Sequence, residues 1–576
     1  GMVLGAEDLL VLGRESLAQG MPLPYTAVDI ARGLRVLILE QQPQIWEGLG
    51  FQAIETMPRY VFSRDAASPI LAGLAPEDLL NWRGSPDLLP EGKPARSHEV
   101  MHAPKWTNTH AVASVVLQVP QVVGISPILV AEFDLDYSPL LTWRHGRGMV
   151  VFCTLDLTDR VGVDPAATRL ARNLLETAAA LSPSPTQAVR YLGDASGRAL
   201  LDRLGVAVAD DGGLLVVGSG EGVPEAAELE RLARAGATVL FLPRPAAELA
   251  ALGYPTTPAE LVRATVPDQP LFRGLGPSLL RWRDALRAEV FAADRQPEGA
   301  EVAGDGLFLI RNLGRGSQVF VQLDPFALDS RYADDMPEHE AIRLSMVRLR
   351  QAWSLLLTNL NAASSDAVAA RLTTLKAGPA YQTLGFWHVL GPFAVPPQAE
   401  GKPSASLDTE YPGEAAAIAG DTNPNLTYTR ADGKALDFRT TVQANQNDFM
   451  DLATTLSAGE NSVAYATCIV KREKAGTAVL RLGVDYWMKV WVNGELVYRM
   501  GQGHGSPKPN RHLVKAHLGE GENVITLKVL AGGKGFGFWA NLAAGEEQNE
   551  QATAHAGGQL YDGSIRLRDP YQYAYW

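Results

Sequence analysis

Two kinds of hydrophobic pattern divide the chain. In the first kind, short unbroken apolar runs alternate with helix-like stretches. DLLVLG (8–13) and GLRVLILE (33–40) read as strands, and GLLVVG (213–218) and GATVLFLP (236–243) play the same parts on either side of the helical PEAAELERLARA (224–235). Continuous Val, Ile and Leu runs are what parallel strands covered on both faces require. A long helix, EHEAIRLSMVRLRQAWSLLLTNL (338–360), closes this part and an Ala- and Ser-rich stretch follows. From Gly385 the pattern changes to short alternating strands: TAVLRLGVDYWMKVWVNGELVYRM (477–500), HLVKAHL (512–518), NVITLKVL (523–530) and GFGFWANL (535–542). Asn-Gly within V-N-G-E-L-V supplies the positive φ values of a two-residue hairpin turn. The expected fold class is therefore α/β plus all-β. Two flavodoxin-like, doubly wound domains (1–183 and 184–362) precede a linker (363–384) and a jelly-roll β-sandwich (385–576).

The two α/β stretches also match by offset. Gly13 pairs with Gly218 at 205 residues and Gly33 with Gly236 at 203. Pro69-x-x-x-Gly73-Leu74 pairs with Pro270-x-x-x-Gly274-Leu275 at 201, and Gly146 with Gly314 at 168, each opening G-R-G-x-x-V-F-x-x-L-D. Order is kept, and the spacing drifts little until about 33 extra residues enter the first copy between about 80 and 145. An internal duplication is expected. The second copy starts with VRYLGDASGRALLDRLGVAVA (189–209), whose counterpart would precede residue 1. The first copy is thus expected to lack one β-α unit. The polypeptide then reads as the C-terminal part of something larger, or as completed by another chain.

Composition adds exclusions. The 576 residues are 46% hydrophobic and 20% charged, with a net charge of −13 and no basic run, which opposes nucleic-acid binding. No apolar run spans a bilayer and the given start does not read as a secretory n-region and h-region, so no membrane partner is expected. Cys153 and Cys468 are the two cysteines, far apart in apolar runs, and both read as buried, inert thiols. The compartment stays open. The expectation is a soluble protein, periplasmic or extracellular as part of a larger one.

Chemistry is signalled mostly by missing patterns. Neither G-x-S-x-G nor G-x-C-x-G occurs, and Cys153 sits in mid-strand where the second copy has Val321. The strand GLRVLILE is followed by Gln41, Gln42 and Pro43, and its counterpart by Pro243, Arg244 and Pro245. None of these forms a catalytic elbow. G-S-G-E-G (218–222) has the context of an anion loop but neither the G-x-G-x-x-G spacing nor a lysine, and reads as a tight turn. His102 and His110 have loop spacing. Asp334, Asp335, Glu338, His339 and Glu340 read as acidic complement to a helix N-terminus rather than as a metal set. No catalytic residue, metal site or cofactor is expected.

SPILAGLAPEDLLNWRG (68–84) and YSPLLTWRHGRGMVVFCTLDLTDRVGVDPAATRLARNLL (137–175) resemble a region that follows the catalytic barrel in bacterial β-galactosidase- and β-glucuronidase-like glycoside hydrolases. The resemblance implies class I glutamine amidotransferase-like domains without their triad. VLGPF (389–393), LDTEYPGE (407–414) and VDYWMKVWVNGELVY (484–498) resemble the galactose-binding-like sandwich of such enzymes. The barrel and its paired acids have no counterpart here. What the resemblance implies is a non-catalytic accessory region, serving carbohydrate binding and assembly with a catalytic domain or as a homo-oligomer. The alternative is a stand-alone glycosidase or amidotransferase-like hydrolase, with a site at the carboxyl ends of the sheet strands.

Within VDYWMKVWVNG, period two places Trp487, Lys489, Trp491 and Asn493 on one face, and Tyr486, Met488, Val490 and Val492 on the other. Two tryptophans flanking a lysine can stack on a sugar and hydrogen-bond its hydroxyls. Asp485, His504, Lys534 and Trp539, on neighbouring turns, complete the candidate set. The competing reading packs both tryptophans against the opposing sheet or another domain.

Overall fold

The computed structural model describes residues 4–55, 58–84, 88, 110–131, 135–180, 183–220, 222–328, 339–376, 381–399, 402–445, 448–500, 503, 512–533 and 535–543. Two compact units divide the chain between residues 377 and 378.

The first half of the N-terminal unit runs β1 (Leu9–Leu12), α1 (Ala27–Arg32), β2 (Arg35–Ile38), α2 (Pro43–Gly48), β3 (Ala53–Glu55), β4 (Phe62–Ser63), β5 (Val115–Gln118), β6 (Ile125–Ala131), β7 (Tyr137–His145), β8 (Gly148–Cys153) and α3 (Pro165–Ala180). Strands β1, β2 and β8 pair in parallel, and the sheet turns antiparallel through β7, β5 and β3. All six residues of β8 are buried, as a strand covered on both faces must be. Ile38, Val150 and Phe152 meet α1 and α2 on one face, while Leu37, Val151 and Cys153 meet α3 on the other. Helix α1 starts where Thr26 and Asp29 form a reciprocal capping box and stops at Gly33.

The second half runs β9 (Val189–Leu192), α4 (Ala195–Arg203), β10 (Leu214–Val217), α5 (Ala226–Ala235), β11 (Thr238–Phe241), α6 (Ala246–Ala251), β12 (Thr256–Arg263), β13 (Arg281–Phe291), β14 (Ala300–Ala303), β15 (Phe308–Leu313), β16 (Gly316–Val321) and α7 (His339–Asn359). Its main sheet has the order β14-β15-β16-β11-β10-β9. Val208 bridges Val189 in parallel, so a short segment after α4 extends this sheet beyond β9. The parallel strands then stand in the spatial order second, first, third, fourth, fifth. Helices α4 and α7 cover one face, α5 and α6 the other. The shared part of the two sheets is the same: β1-β2-β8-β7 and β10-β11-β16-β15 agree in order and direction. Gly146 and Gly314 turn into β8 and β16 with φ of 57° and 58°. A Cβ there would lie 2.4 Å from the Ala31 carbonyl oxygen and 2.8 Å from that of Arg234, so glycine is needed for the backbone and for the space.

Helix α7 is buried along most of its length, which explains its unusual polar content. Its Gln351 donates to the Val119 carbonyl (3.2 Å), and its Thr358 hydroxyl accepts from the Gly124 amide (2.8 Å), so its polar stripe joins the two halves. After it, α8 (Asp366–Leu372) begins at the Ser365 N-cap and returns to the first half. Val368, Ala369, Leu372 and Leu375 pack with Ile30, Trp46 and Phe51. Arg371 donates to the Glu47 and Gly48 carbonyls at the C-terminus of α2 (2.9 and 2.8 Å).

The second unit runs β17 (Tyr381–Thr383), β18 (Phe386–Ala394), α9 (Ala405–Asp408), α10 (Glu414–Ala419), β19 (Tyr428–Thr429), β20 (Ala435–Leu436), β21 (Thr441–Gln443), β22 (Met450–Asp451), α11 (Leu452–Leu456), β23 (Ser462–Arg472), β24 (Gly476–Val484), β25 (Trp487–Val492), β26 (Glu495–Arg499), β27 (His512–Leu518), β28 (Gly521–Leu530) and β29 (Gly537–Ala543). One sheet has the order β21-β18-β23-β28-β25-β26, the other β17-β29-β24-β27 with β22 beside β29. Val389, Ala466, Val490 and Leu527 from the first meet Leu480, Leu482, Val514 and Phe538 from the second, making a β-sandwich core. Helices α9 and α10 and the β19–β20 pair lie on the outer face of the six-stranded sheet, with Leu407, Ala417 and Phe438 against Phe393, Tyr465 and Trp487.

The chain is thus α/β followed by a β-sandwich. The stretch 363–384, expected as a linker, instead holds α8 and β17, both packed into their units. Ser365 and the apolar spacing of Val368, Ala369 and Leu372 are the helix signal behind the Ala-rich composition. No helix among the described residues is long and apolar enough to cross a membrane.

Candidate functional site

Period two sorts β25 itself, but not Tyr486 before it: expected on the core face, Tyr486 sits at φ 78° and packs with Trp487 in the outer cluster. Met488, Val490 and Val492 face the sandwich core, and Trp487, Lys489 and Trp491 face outward. Outward, however, does not mean towards solvent. Trp487 is 1% exposed and Trp491 8%. The Trp487 indole donates to the Lys402 carbonyl (3.0 Å), and its ring stacks beside Tyr486 with centroids 5.6 Å apart. The expected stacking surface is covered by the segment of the same unit that carries α9 and α10, by neither the opposing sheet nor another domain. Burying two tryptophans removes more apolar area from water than leaving them for an occasional ligand.

Charges fasten that cover. Lys489 Nζ lies 2.6 Å from Asp408, and Arg499 gives the same carboxylate two hydrogen bonds of 3.0 and 2.6 Å. Arg499 first, then Lys489, hold the Asp408 carboxyl well below the usual carboxylate range. Deeper in, Lys528 Nζ pairs with Glu414 (2.8 Å), donates to the Thr409 carbonyl, and stands 4.9 and 5.3 Å from the Tyr411 and Tyr465 rings. Asp408 and Glu414 thus tie α9 and α10 to the cations of β25, β26 and β28.

Asn493 belongs to neither surface. It sits at φ 51° in the β25–β26 turn with Gly494 at 86°, donates to Asn523 Oδ1 (2.8 Å) and accepts from the Val524 amide (2.9 Å). His504 and Lys534 lie outside the described residues.

Asp485 and Trp539 do come together. Gly483 pairs with Trp539 across β24 and β29, and the Asp485 amide donates to the Gly537 carbonyl (3.0 Å). Both side chains therefore take the outer face of that sheet, while Val484 and Phe538 face the core. Trp539 is half-buried and its ring leans on Phe449 at 4.4 Å. Asp485 is 7% exposed, and no hydrogen bond or ion pair reaches its carboxylate from the described residues. Desolvation pushes its carboxyl up to about 6. A Cβ at Gly535 would fall 1.5 Å from Asp485 Oδ2, so this loop closes on the carboxylate only with glycine there. Next to it, Tyr486 holds φ 78°, a strained setting for an aromatic residue.

The other described residues considered for chemistry, all but Cys468 in the α/β unit, are occupied structurally or buried in whole or part. Cys153 is fully buried, and burial with Glu40 nearby pushes its thiol far up; Cys468 is half-buried, its thiol pushed up to about 11. The turn at 218–220 is taken up internally. Arg244 donates to the Gly218 carbonyl and to Glu248 (3.0 Å), and Ser219 donates to Glu248 (3.0 Å). His110 Nδ1 lies 3.0 Å from the Trp82 carbonyl. His102, Glu221, Asp334, Asp335 and Glu338, and the side chains of His339 and Glu340, lie outside the described residues. Not expected from the sequence is a pair of asparagines that fix the two Pro-x-x-x-Gly turns. Asn173 in α3 donates to the Ile70 and Ala72 carbonyls (3.0 and 2.8 Å), and Asn359 in α7 to those of Leu271 and Arg273 (both 2.9 Å).

No model of a known protein family matches the chain, and no curated protein matches it. Parts of it are similar to solved structures. A family 35 carbohydrate-binding module from Clostridium thermocellum shares 19% identity over 15% of this chain and 72% of the module, with a TM-score of 0.13. The β-glucuronidase of Faecalibacterium prausnitzii shares 19% identity over 26% of this chain and 21% of the enzyme (TM-score 0.14). The β-glucuronidase of Ruminococcus gnavus shares 11% identity over 28% and 29% (TM-score 0.16). The chain spans less than a third of either enzyme. It is similar, over short stretches and at low identity, to a carbohydrate-binding module and to two β-glucuronidases.

Proposed function

We propose that this chain is a non-catalytic accessory region of a glycoside-hydrolase-like protein, and that its sandwich binds carbohydrate on the outer face of β24 and β29. One observation carries the reading: Asp485, a buried carboxylate left without a partner among the described residues, shares a sheet face with Trp539. A carboxylate in that setting gains most from donors brought by a ligand, and sugar hydroxyls are such donors. Trp539 and Phe449 offer the apolar surface on which the C–H face of a pyranose stacks.

The α/β halves are read as a duplicated pair of amidotransferase-like, flavodoxin-like domains that mediate assembly with a catalytic domain or with a second copy. Their shared strand order and the 2-1-3-4-5 arrangement of the second half support this reading. The sealed thiol of Cys153 supports a non-catalytic role. Glycan-array screening followed by calorimetry on the whole chain tests the proposal. Binding of at least one glycan, lost in Trp539→Ala and in Asp485→Ala but kept in Trp491→Ala, is expected. A glycan that binds equally well to all three variants would move the site elsewhere. Glycoside or glutamine turnover by the purified chain would overturn the non-catalytic reading.

A further inference from the structure

Between the two halves of the N-terminal unit lies a recess of about 500 Å³, within the range of small-molecule sites. Both Pro-x-x-x-Gly turns contribute to its wall, through Pro69 and Pro270, and α7 supplies one side. Its charges do not balance. Arg273 directs two of its nitrogens to Asp65 Oδ2, both at 2.8 Å. Arg144 bonds only to neutral acceptors, Asn361 Oδ1 (2.9 Å) and the Thr358 carbonyl, and no carboxylate among the described residues pairs with it. Burial, with Arg273 nearby, pulls the Arg144 guanidinium below its usual range, as expected of a cation short of a counter-charge. Thr142 lines the same recess, its hydroxyl donating to the Ser126 carbonyl (3.3 Å) with its lone pairs left to accept, while Met149 and Leu355 give the recess apolar wall.

We infer that this recess binds a small polyhydroxylated monocarboxylate, a sugar acid in chemical class, with its carboxylate on Arg144 and Arg273. The excess of one positive charge favours a monoanion over a phosphate dianion, and guanidinium matches carboxylate geometry in two-point contacts. Hydroxyls on the ligand suit Thr142, and its carbon skeleton suits Met149 and Leu355. The inference concerns a different unit from the sandwich site, so either can fail without the other.

The test is calorimetry and thermal melting of the whole chain with sodium gluconate, sorbitol and inorganic phosphate. Gluconate and sorbitol differ only at the carboxylate. Gluconate is expected to bind one to one and raise the melting temperature, with sorbitol inert and phosphate weaker than gluconate. Arg144→Gln should weaken gluconate by about tenfold or more. Asp65→Asn removes the recess's own anion and should tighten gluconate binding, a gain that misfolding cannot imitate. No binding of gluconate, equal binding of sorbitol, tighter binding of phosphate, or unchanged or weakened gluconate binding in Asp65→Asn would each overturn the inference.

Discussion

Asn359 holds the turn Leu271–Arg273 through the same pair of side-chain-to-carbonyl hydrogen bonds by which Asn173 holds Ile70–Ala72. The two asparagines lie on the helices that follow β16 and β8, so they are equivalent in position as well as in contact. Each ties a helix to a turn whose carbonyls would otherwise lack a donor among the described residues.

Removing either amide leaves two carbonyls to find water. Asn173→Ala and Asn359→Ala should each destabilise the N-terminal unit by about 1–3 kcal/mol. The two pairs of bonds are alike in exposure, so the two losses should be similar. Urea unfolding monitored by tryptophan fluorescence measures both, and equal stability of wild type and both variants would sink the idea.

Trp487 and Trp491 are structural residues in this fold. Trp487→Ala removes a fully buried ring and its bond to Lys402, and should cost about 3–5 kcal/mol of the sandwich's stability. Trp539→Ala, at a half-buried position, should cost less. Melting curves that rank Trp539→Ala as more damaging than Trp487→Ala would contradict this placement.

Asp485 should give the sandwich a pH dependence of unusual sign. Its carboxyl rises from an ordinary 3.8 to about 6 on folding, so the folded state binds the proton more tightly than the unfolded one. Stability should therefore fall as pH rises from 3.8 to about 6, the full loss being reached above that window. Asp485→Asn should flatten this part of the profile and melt higher than wild type at pH 7. Superimposable profiles for the two proteins would rule the effect out.

Both thiols should resist modification while the chain is folded. Cys153 is sealed between β8 and α3, and Cys468 is half-buried with its thiol pushed up to about 11. Titration with a thiol-reactive disulfide at pH 8 should count close to zero in the native protein and two after unfolding in guanidinium. Rapid native labelling of Cys153 would mean that this face of the sheet opens.

How much of this was legible in the sequence depended on range. The Asn493–Gly494 turn and the alternation of β25 are local, and both stand in the structure as the residue pattern predicts. The offsets between glycines pointed to Gly146 and Gly314, because a backbone that cannot accept a Cβ leaves a mark in the sequence. What covers an outer sheet face leaves no such mark. Asp408 and Glu414 reach Lys489 and Lys528 from about 80 and 110 residues away, and nothing near VDYWMKVWVNG announces them. Asn173 and Asn359 escaped notice because one amide in a helix is common, and only its target makes it distinctive. Helix α8 was hidden by small residues, although Ser365 was a readable start.

The return of α8 also sets an order of events at the ribosome. Ile30, Trp46 and Phe51 leave the exit tunnel before Val368, Ala369 and Leu372, which close over them, and these are made more than 300 residues later. At ordinary elongation rates the wait is on the order of 15–60 s. Throughout it, the first half of the nascent chain shows an oily surface to the cell, as a client for chaperones. Its start and its completion as a folded body are separated by the synthesis of the whole second half.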